Sequence, residues 1–237
     1  MSARWLMACS SRSVQVVISA NVRSPNILSL ATAAGYVTGM QIECVINVAV
    51  DVATLQVTGI PDDALHIINN GRIGGVQSNG GAGGTGLYTR NRIRVTNNGT
   101  IFGGGGSGGA GGSASWSYAG SSGSGIGGTG GNGVGFSLSG TVTLVAKNTL
   151  PPVGGGTYSP YDGATFPGDT APWASGGTGG GGGDMGQPGA RGNDGASGGT
   201  GAGAPTAGSP GALAGYYVDG NSYITWLATG TRLGRVI

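Results

Sequence analysis

The residues that could do chemistry are few and scattered. His66 is the single histidine, and no recognisable motif sets a serine or cysteine beside it, so a hydrolytic triad has weak support. Acidic residues number only nine, too sparse for the paired carboxylates that glycan cleavage ordinarily uses. Asp184 and Asp194 lie among glycines, yet nothing repeats at the nine-residue spacing of calcium-binding β-rolls, so no metal is expected. Matches to GxGxxG are inevitable in this composition and place no cofactor. Arg90, Arg92 and Arg94 alternate and would share one strand face. That row could meet phosphate or lipopolysaccharide, but guarding a sheet edge is the preferred reading. The two cysteines, Cys9 and Cys44, are too few for a disulfide framework. Cys44 falls on an alternating apolar face, where a free thiol packs as a small hydrophobe. The chain reads as a non-enzyme.

Binding chemistry is better represented. Ala114-Ser-Trp116-Ser-Tyr118-Ala119 places two large aromatics among small residues. Leu150 to Ser175 holds five of the ten prolines together with Tyr158, Tyr161, Phe166 and Trp173. Trp and Tyr are favoured at recognition surfaces, and proline-stiffened loops lose less entropy on binding. Trp116, Tyr118, Tyr158, Tyr161, Phe166 and Trp173 are therefore expected to form the binding site. The alternatives are structural: Trp116 as a cap over the residues beneath it, and 150–175 as a wrapping loop.

What must position these side chains is mostly glycine, which supplies 56 of 237 residues while charged residues make up 8%. The net charge of +2 is too weak to point to nucleic acid or an anionic membrane. No stretch reaches the roughly 20 apolar residues of a membrane span. Leu6-Met7-Ala8-Cys9 resembles a lipoprotein cleavage box, but the apolar core before it is too short and the match reads as accidental. The glycines repeat as Gly-Gly-X with small X around Ala82, Ser107, Ala110, Thr129 and Thr178. A helix of polyproline-II type has three residues per turn, so this repeat leaves two edges bare for backbone-to-backbone packing. It makes no internal hydrogen bonds, and its N–H and C=O groups must pair with neighbouring helices. Gly177 to Gly201 keeps glycine at every third position. Either a short trimeric collagen-like stalk or a turn back near Asp184 to Pro188 would explain it, and the turn is expected because proline is scarce.

Residues 1–75 read as a small β-rich (α+β) domain. Apolar residues at every even position from Met40 to Val52 mean strand, folded near Asn47 or Asp51, with a turn or bulge near Ala53. Val14 to Ser19 is another strand. Ser24-Pro25 to Gly35 has the capping serine, first-turn proline and terminal glycine of one short helix. Leu65 to Ile73 recurs 28 residues later as Ile93 to Ile101, each copy reading as a strand followed by an Asn-Asn-Gly tight turn. Tyr223 to Gly234 is a looser third version. Residues 76–237 form the glycine-rich part, with Gly103–Ser113 running out, Gly120–Gly133 back, Phe136–Val145 proximal, Tyr158–Trp173 distal again, and a C-terminal β segment.

The two Asn-Asn-Gly-x-Ile copies entering glycine tracts, with short non-glycine loops between the tracts, resemble the glycine-rich adhesins and fibre tips of tailed phages, including the tip adhesin of T-even-like long tail fibres. The resemblance covers residues 65 to 203. It implies a mainly β/irregular fold, in which an attachment domain over 1–75 is followed by a sandwich of polyglycine II helices with variable distal loops. It implies a virion protein, made in the host cytoplasm, that binds a host outer-membrane protein or surface glycan and assembles with other tail-fibre proteins, without membrane insertion; a homotrimer stays open. The helix-bearing start, Ser24 to Gly35, is more similar to glycine-rich fibre proteins of other tailed phages. Alternatives are a structural glycine-rich fibre or cell-surface protein, an ice-binding polyglycine protein and a fibre-degrading enzyme.

Overall fold

The structure, a computed structural model, describes residues 12–118, 121–148 and 172–237. Strands β1 (Ser13–Ile18) and β2 (Val22–Arg23) lead into helix α1 (Ile27–Ala33). The chain then winds through β3 (Gln41–Ile46), β4 (Asp51–Ala53) and β5 (Leu55–Val57), and again through β6 (Leu65–Asn69), β7 (Arg72–Gly74) and β8 (Leu87–Thr89). A third turn begins with β9 (Ile93–Asn97) and β10 (Thr100–Phe102). It is interrupted by a long excursion that holds β11 (Ala114–Tyr118), β12 (Ser121–Gly125), β13 (Gly135–Phe136), β14 (Leu144–Val145), β15 (Trp173–Ser175) and β16 (Ala196–Gly198). β17 (Tyr216–Asp219) completes the turn, and β18 (Ile224–Ala228), β19 (Thr231–Leu233) and β20 (Arg235–Val236) make the last one.

Equivalent strands of successive turns stack in parallel, giving sheets ordered β1-β3-β6-β9-β18, β2-β4-β7-β10-β19 and β5-β8-β17-β20. This is a three-sided parallel β-solenoid. Alternate residues of each strand point inward, and Ile42, Cys44, Ile46, Leu65, Ile67, Ile93 and Val95 are at most 1% exposed. Full burial of one such aliphatic side chain is worth about 1.5–3 kcal/mol. α1 packs Ile27 and Ala31 into the same core. Its cap is Asn26, whose side chain accepts from the Ser29 N–H at 2.9 Å. Ser24, expected in that role, instead takes φ 44°.

The fold expected near Asn47 or Asp51 is the corner Asn47 to Val50, where Ala49 has φ 62° and Val48 is 76% exposed. Two other expectations change. The hydrogen-bonded sheets run on past residue 75, because β5, β6 and β7 pair with β8, β9 and β10. The 28-residue repeat is the stacking register itself, Leu65 over Ile93 through Asn69 over Asn97, and its Asn-Asn-Gly corners are not the positive-φ tight turns expected. None of residues 69–71 or 97–99 has positive φ. Gly99 is required for another reason: a Cβ there would enter the carbonyl of Gly71 one turn below. Beside these glycines Asn69 and Asn97 are buried, with Asn69 Nδ2 donating to Asn97 Oδ1 at 2.7 Å and Asn97 Nδ2 donating to the Thr229 carbonyl at 2.7 Å. The looser third copy lies over the second, Ile224 on Ile93, with a bulge between Trp226 and Ala228.

The glycine tracts pair at every third residue. Gly105, Gly108 and Gly111 donate to Val134, Gly131 and Gly128, an antiparallel neighbour, at 2.7–2.8 Å. Gly106, Gly109 and Gly112 donate to Gln187, Ala190 and Asn193, and their carbonyls accept from Gly183, Gly180 and Gly177. The carbonyls of Ser107, Ala110 and Ser113 accept from Ala212, Ser209 and Thr206, while Gly104 and Ser107 donate to Gly84 and Gly81. Tract 103–113 therefore has five neighbouring segments. The chain turns at Asp184 to Gln187, where Gln187 N–H donates to the Asp184 carbonyl and Gly186 has φ 68°. After it, residues 187–195 run back antiparallel, with Ala190 donating to Gly181 and Asn193 to Thr178.

A valine at Gly108 would drive its Cβ into the Gly180 carbonyl, with backbone on both sides and nothing flexible to yield. We expect Gly108→Val to cost more than about 3 kcal/mol or to abolish soluble expression. Thr129→Val, at an exposed position of the neighbouring tract, should shift stability by no more than about 0.5 kcal/mol. Ser107 is not a second such control, because it is buried. Equal thermal melts for the two variants would contradict the packing described. In the solenoid, Asn97→Ala removes the acceptor of the buried Asn69 side-chain amide, and a loss of about 1–3 kcal/mol is expected in denaturant unfolding.

Candidate functional site

Tract 103–113 leaves the solenoid directly after β10, and 126–134 returns to β13, whose Phe136 packs on Phe102 with ring centroids 5.1 Å apart. β13 and β14 therefore lie at the solenoid end of the tracts, as the traverse count anticipates, and the β11–β12 hairpin lies at the far end. β15 enters that far end against β11 and β12 and pairs antiparallel with β16. A further segment closes the group: Ser117 N–H donates to the Gly201 carbonyl at 2.9 Å, and Gly203 N–H donates to Ser115 at 2.8 Å. The distal end is thus assembled from residues 114–118, 121–125, 172–175 and 196–203, with β11 at its centre.

Two tryptophans are placed alike in it. Trp116 faces Gly123 across the β11–β12 pair, and Trp173 faces Gly198 across β15–β16. Each ring lies over the glycine opposite, where a Cβ would strike the indole. Their exposure differs: Trp116 is buried at 2%, packed with Ala114 and Ala174 and flanked by Tyr118, whereas Trp173 is 43% exposed. Trp116 is therefore corrected from a contact residue to the core of the distal end. A large ring beside glycine-rich strands is the main apolar surface available there to exclude water, so it turns inward. Tyr118 is half-buried. Tyr158, Tyr161 and Phe166 lie outside the described residues.

The outward face of the hairpin escaped the sequence reading. Ser115 and Ser117 alternate with the inward Ala114 and Trp116, and they pair with Ser124 and Ser122. These serines and Gly201 line an open cleft of about 470 Å³. The period-two run Ala-Ser-Trp-Ser-Tyr was the available signal. Gly208 and Gly211, three residues apart, would similarly have identified the last tract. None of the described distal segments carries a charged side chain.

The other candidates are structural. His66 meets the Thr96 hydroxyl at 2.9 Å, and its pKa is lowered by burial and by Arg94, with Glu43 opposing. Cys44 is a buried free thiol, pushed up to about 12 by burial. The three arginines do not form one strand face, since β8 ends at Thr89 and β9 begins at Ile93. Arg90 pairs with Asp219 at 2.7 Å, Arg92 with Asp63 at 3.1 Å, and Arg94 donates to Gln41 at 2.8 Å.

Comparison with known proteins gives three results. No curated protein matches the chain. Among solved structures, the gp37–gp38 adhesin tip complex of the bacteriophage S16 long tail fibre contains a chain similar to this one, with 20% identity over 95% of this chain and 82% of that one, at a TM-score of 0.48. The model of a protein family described as phage tail fibre adhesin Gp38 matches residues 13–237. With all but the first twelve residues covered by that match, the chain belongs to the phage tail fibre adhesin Gp38 family and its place is the tail fibre of the virion.

Proposed function

We propose that this adhesin binds a host surface receptor, an outer-membrane protein or a glycan, through the distal end of its glycine tracts, and that the tracts are polyglycine II helices. The observation that carries this reading is the three-residue hydrogen-bond ladder around 103–113. It matches the period of such a helix, and it fixes the spacing of the distal segments without using any of their side chains. Rigid presentation lowers the entropy lost on binding. Trp173 and Tyr118 are the described aromatics of the contact surface, and Tyr158, Tyr161 and Phe166 belong to the same proposal.

Residues 1–75 would attach the protein to another tail-fibre protein. In support, this stretch exposes Val17, Leu30, Val37 and Val48 by 42–76%. The solved S16 structure is itself a complex of gp37 with gp38.

Two measurements test these statements. In a folded protein assembled on virions, Trp173→Ala should slow adsorption to host cells, with a cost of about 2 kcal/mol if the residue is a hot spot. Adsorption unchanged in a variant lacking Trp173, Tyr118, Tyr158, Tyr161 and Phe166 together would remove the case for these loops. For attachment, deletion of 1–75 is uninformative because it removes β1–β7, on which β8, β9 and β10 are stacked. Val37→Lys with Val48→Lys should instead reduce incorporation into virions while leaving the isolated protein able to bind cells. Full incorporation would move attachment elsewhere.

A further inference from the structure

We infer that the serine-faced cleft on the β11–β12 hairpin is a binding site for an uncharged saccharide; this rests on the reading that the distal end is the adhesive one. Ser115, Ser117, Ser122 and Ser124 stand as two cross-strand pairs on one face, with opposed Cβ atoms about 4.5–5.5 Å apart. Their side chains are exposed and make no hydrogen bond among the described residues. Trp116, which alternates with these serines along β11 and is itself among the residues lining the cleft, is buried against Ala114 and Ala174. On one side the serine face is walled by the segment through Gly201, hydrogen-bonded along β11. The resulting cleft, about 470 Å³, falls in the range of about 300–1,000 Å³ typical of small-ligand sites.

The chemistry of the lining selects the ligand class. A serine hydroxyl donates one hydrogen bond and accepts two, and a sugar hydroxyl has the same capacity, so the two surfaces can pair in several registers. An anionic ligand would lose hydration with no cation to replace it, because the described distal segments contain no Lys or Arg. An apolar peptide side chain laid on this face would cover four hydroxyls without satisfying them. A neutral polyhydroxylated ligand is the one that leaves neither cost standing.

The test uses the full chain and three probes: an uncharged O-polysaccharide released from the lipopolysaccharide of a bacterium to which the phage adsorbs, the phosphorylated core oligosaccharide of that lipopolysaccharide, and outer-membrane proteins of the same bacterium in lipopolysaccharide-free liposomes. Titration should show binding to the uncharged polysaccharide. It should fall at least tenfold in Ser115→Val/Ser117→Val, whose outward valines suit a strand and should leave the thermal melt unchanged. Thr129→Val, away from the cleft, should bind as the wild type. Undiminished binding by the folded double variant would overturn the proposal. So would wild-type binding to the phosphorylated core alone or to the protein liposomes alone, although either result would leave the adhesive role intact. A chain that bound none of the probes and no whole cells would overturn the adhesive reading as well.

Discussion

Everything in the distal half depends on how glycine tracts with no internal hydrogen bonds find partners for their backbone. Tract 103–113 meets this requirement by being surrounded. Its N–H groups point in turn at 81–84, 128–134 and 187–193, and its carbonyls receive donors from 177–183 and 206–212. A backbone group left unpaired in that interior would cost a desolvation penalty comparable to a lost hydrogen bond. A Cβ on Gly105 or Gly106 would meet the carbonyl of Gly183 or Ala212. Close approach and pairing are thus the same condition, and glycine is the residue that satisfies both.

The solenoid supplies the starting register for this arrangement. Gly75 N–H donates to the Phe102 carbonyl and Gly103 N–H to that of Leu233, both at 2.9 Å, so the spacing of β7, β10 and β19 passes directly into the tracts that follow β7 and β10. Phe102 lies at the same junction, so close to Gly74 that a Cβ there would run into its ring. Parallel stacking of sheet strands and three-residue pairing of tracts are different geometries, and they are joined where side chains give way to glycine.

Much of this was legible in the sequence, and what was missed has definite causes. The Gly-Gly-X phase identified the packed edges because period three is carried by residue type alone. The turn at Asp184 to Gln187 was readable from scarce proline and the length of the repeat. The 28-residue recurrence was also visible, yet strand periodicity does not distinguish a hairpin from a parallel stack one turn higher. Only the partner of Asn69, found to be Asn97, decides between them. The orientation of Trp116 was undetermined for a similar reason: Ala-Ser-Trp-Ser-Tyr fixes two faces without saying which is buried. That depended on Ala174, a residue 58 positions away in sequence.

The separation of stability from recognition follows from the same constraint. In an ordinary core, a surface loop is held partly by its own side chains, and changing them changes the fold. Here the described distal segments sit on ladders made of backbone groups, and their own apolar core is a small one centred on Trp116. Ser115, Ser117, Ser122 and Ser124 support no neighbour, so nothing in the tracts constrains them. These four positions can be altered residue by residue while Gly105 to Gly112 remain fixed, which is what the receptor-binding role proposed for this end would call for.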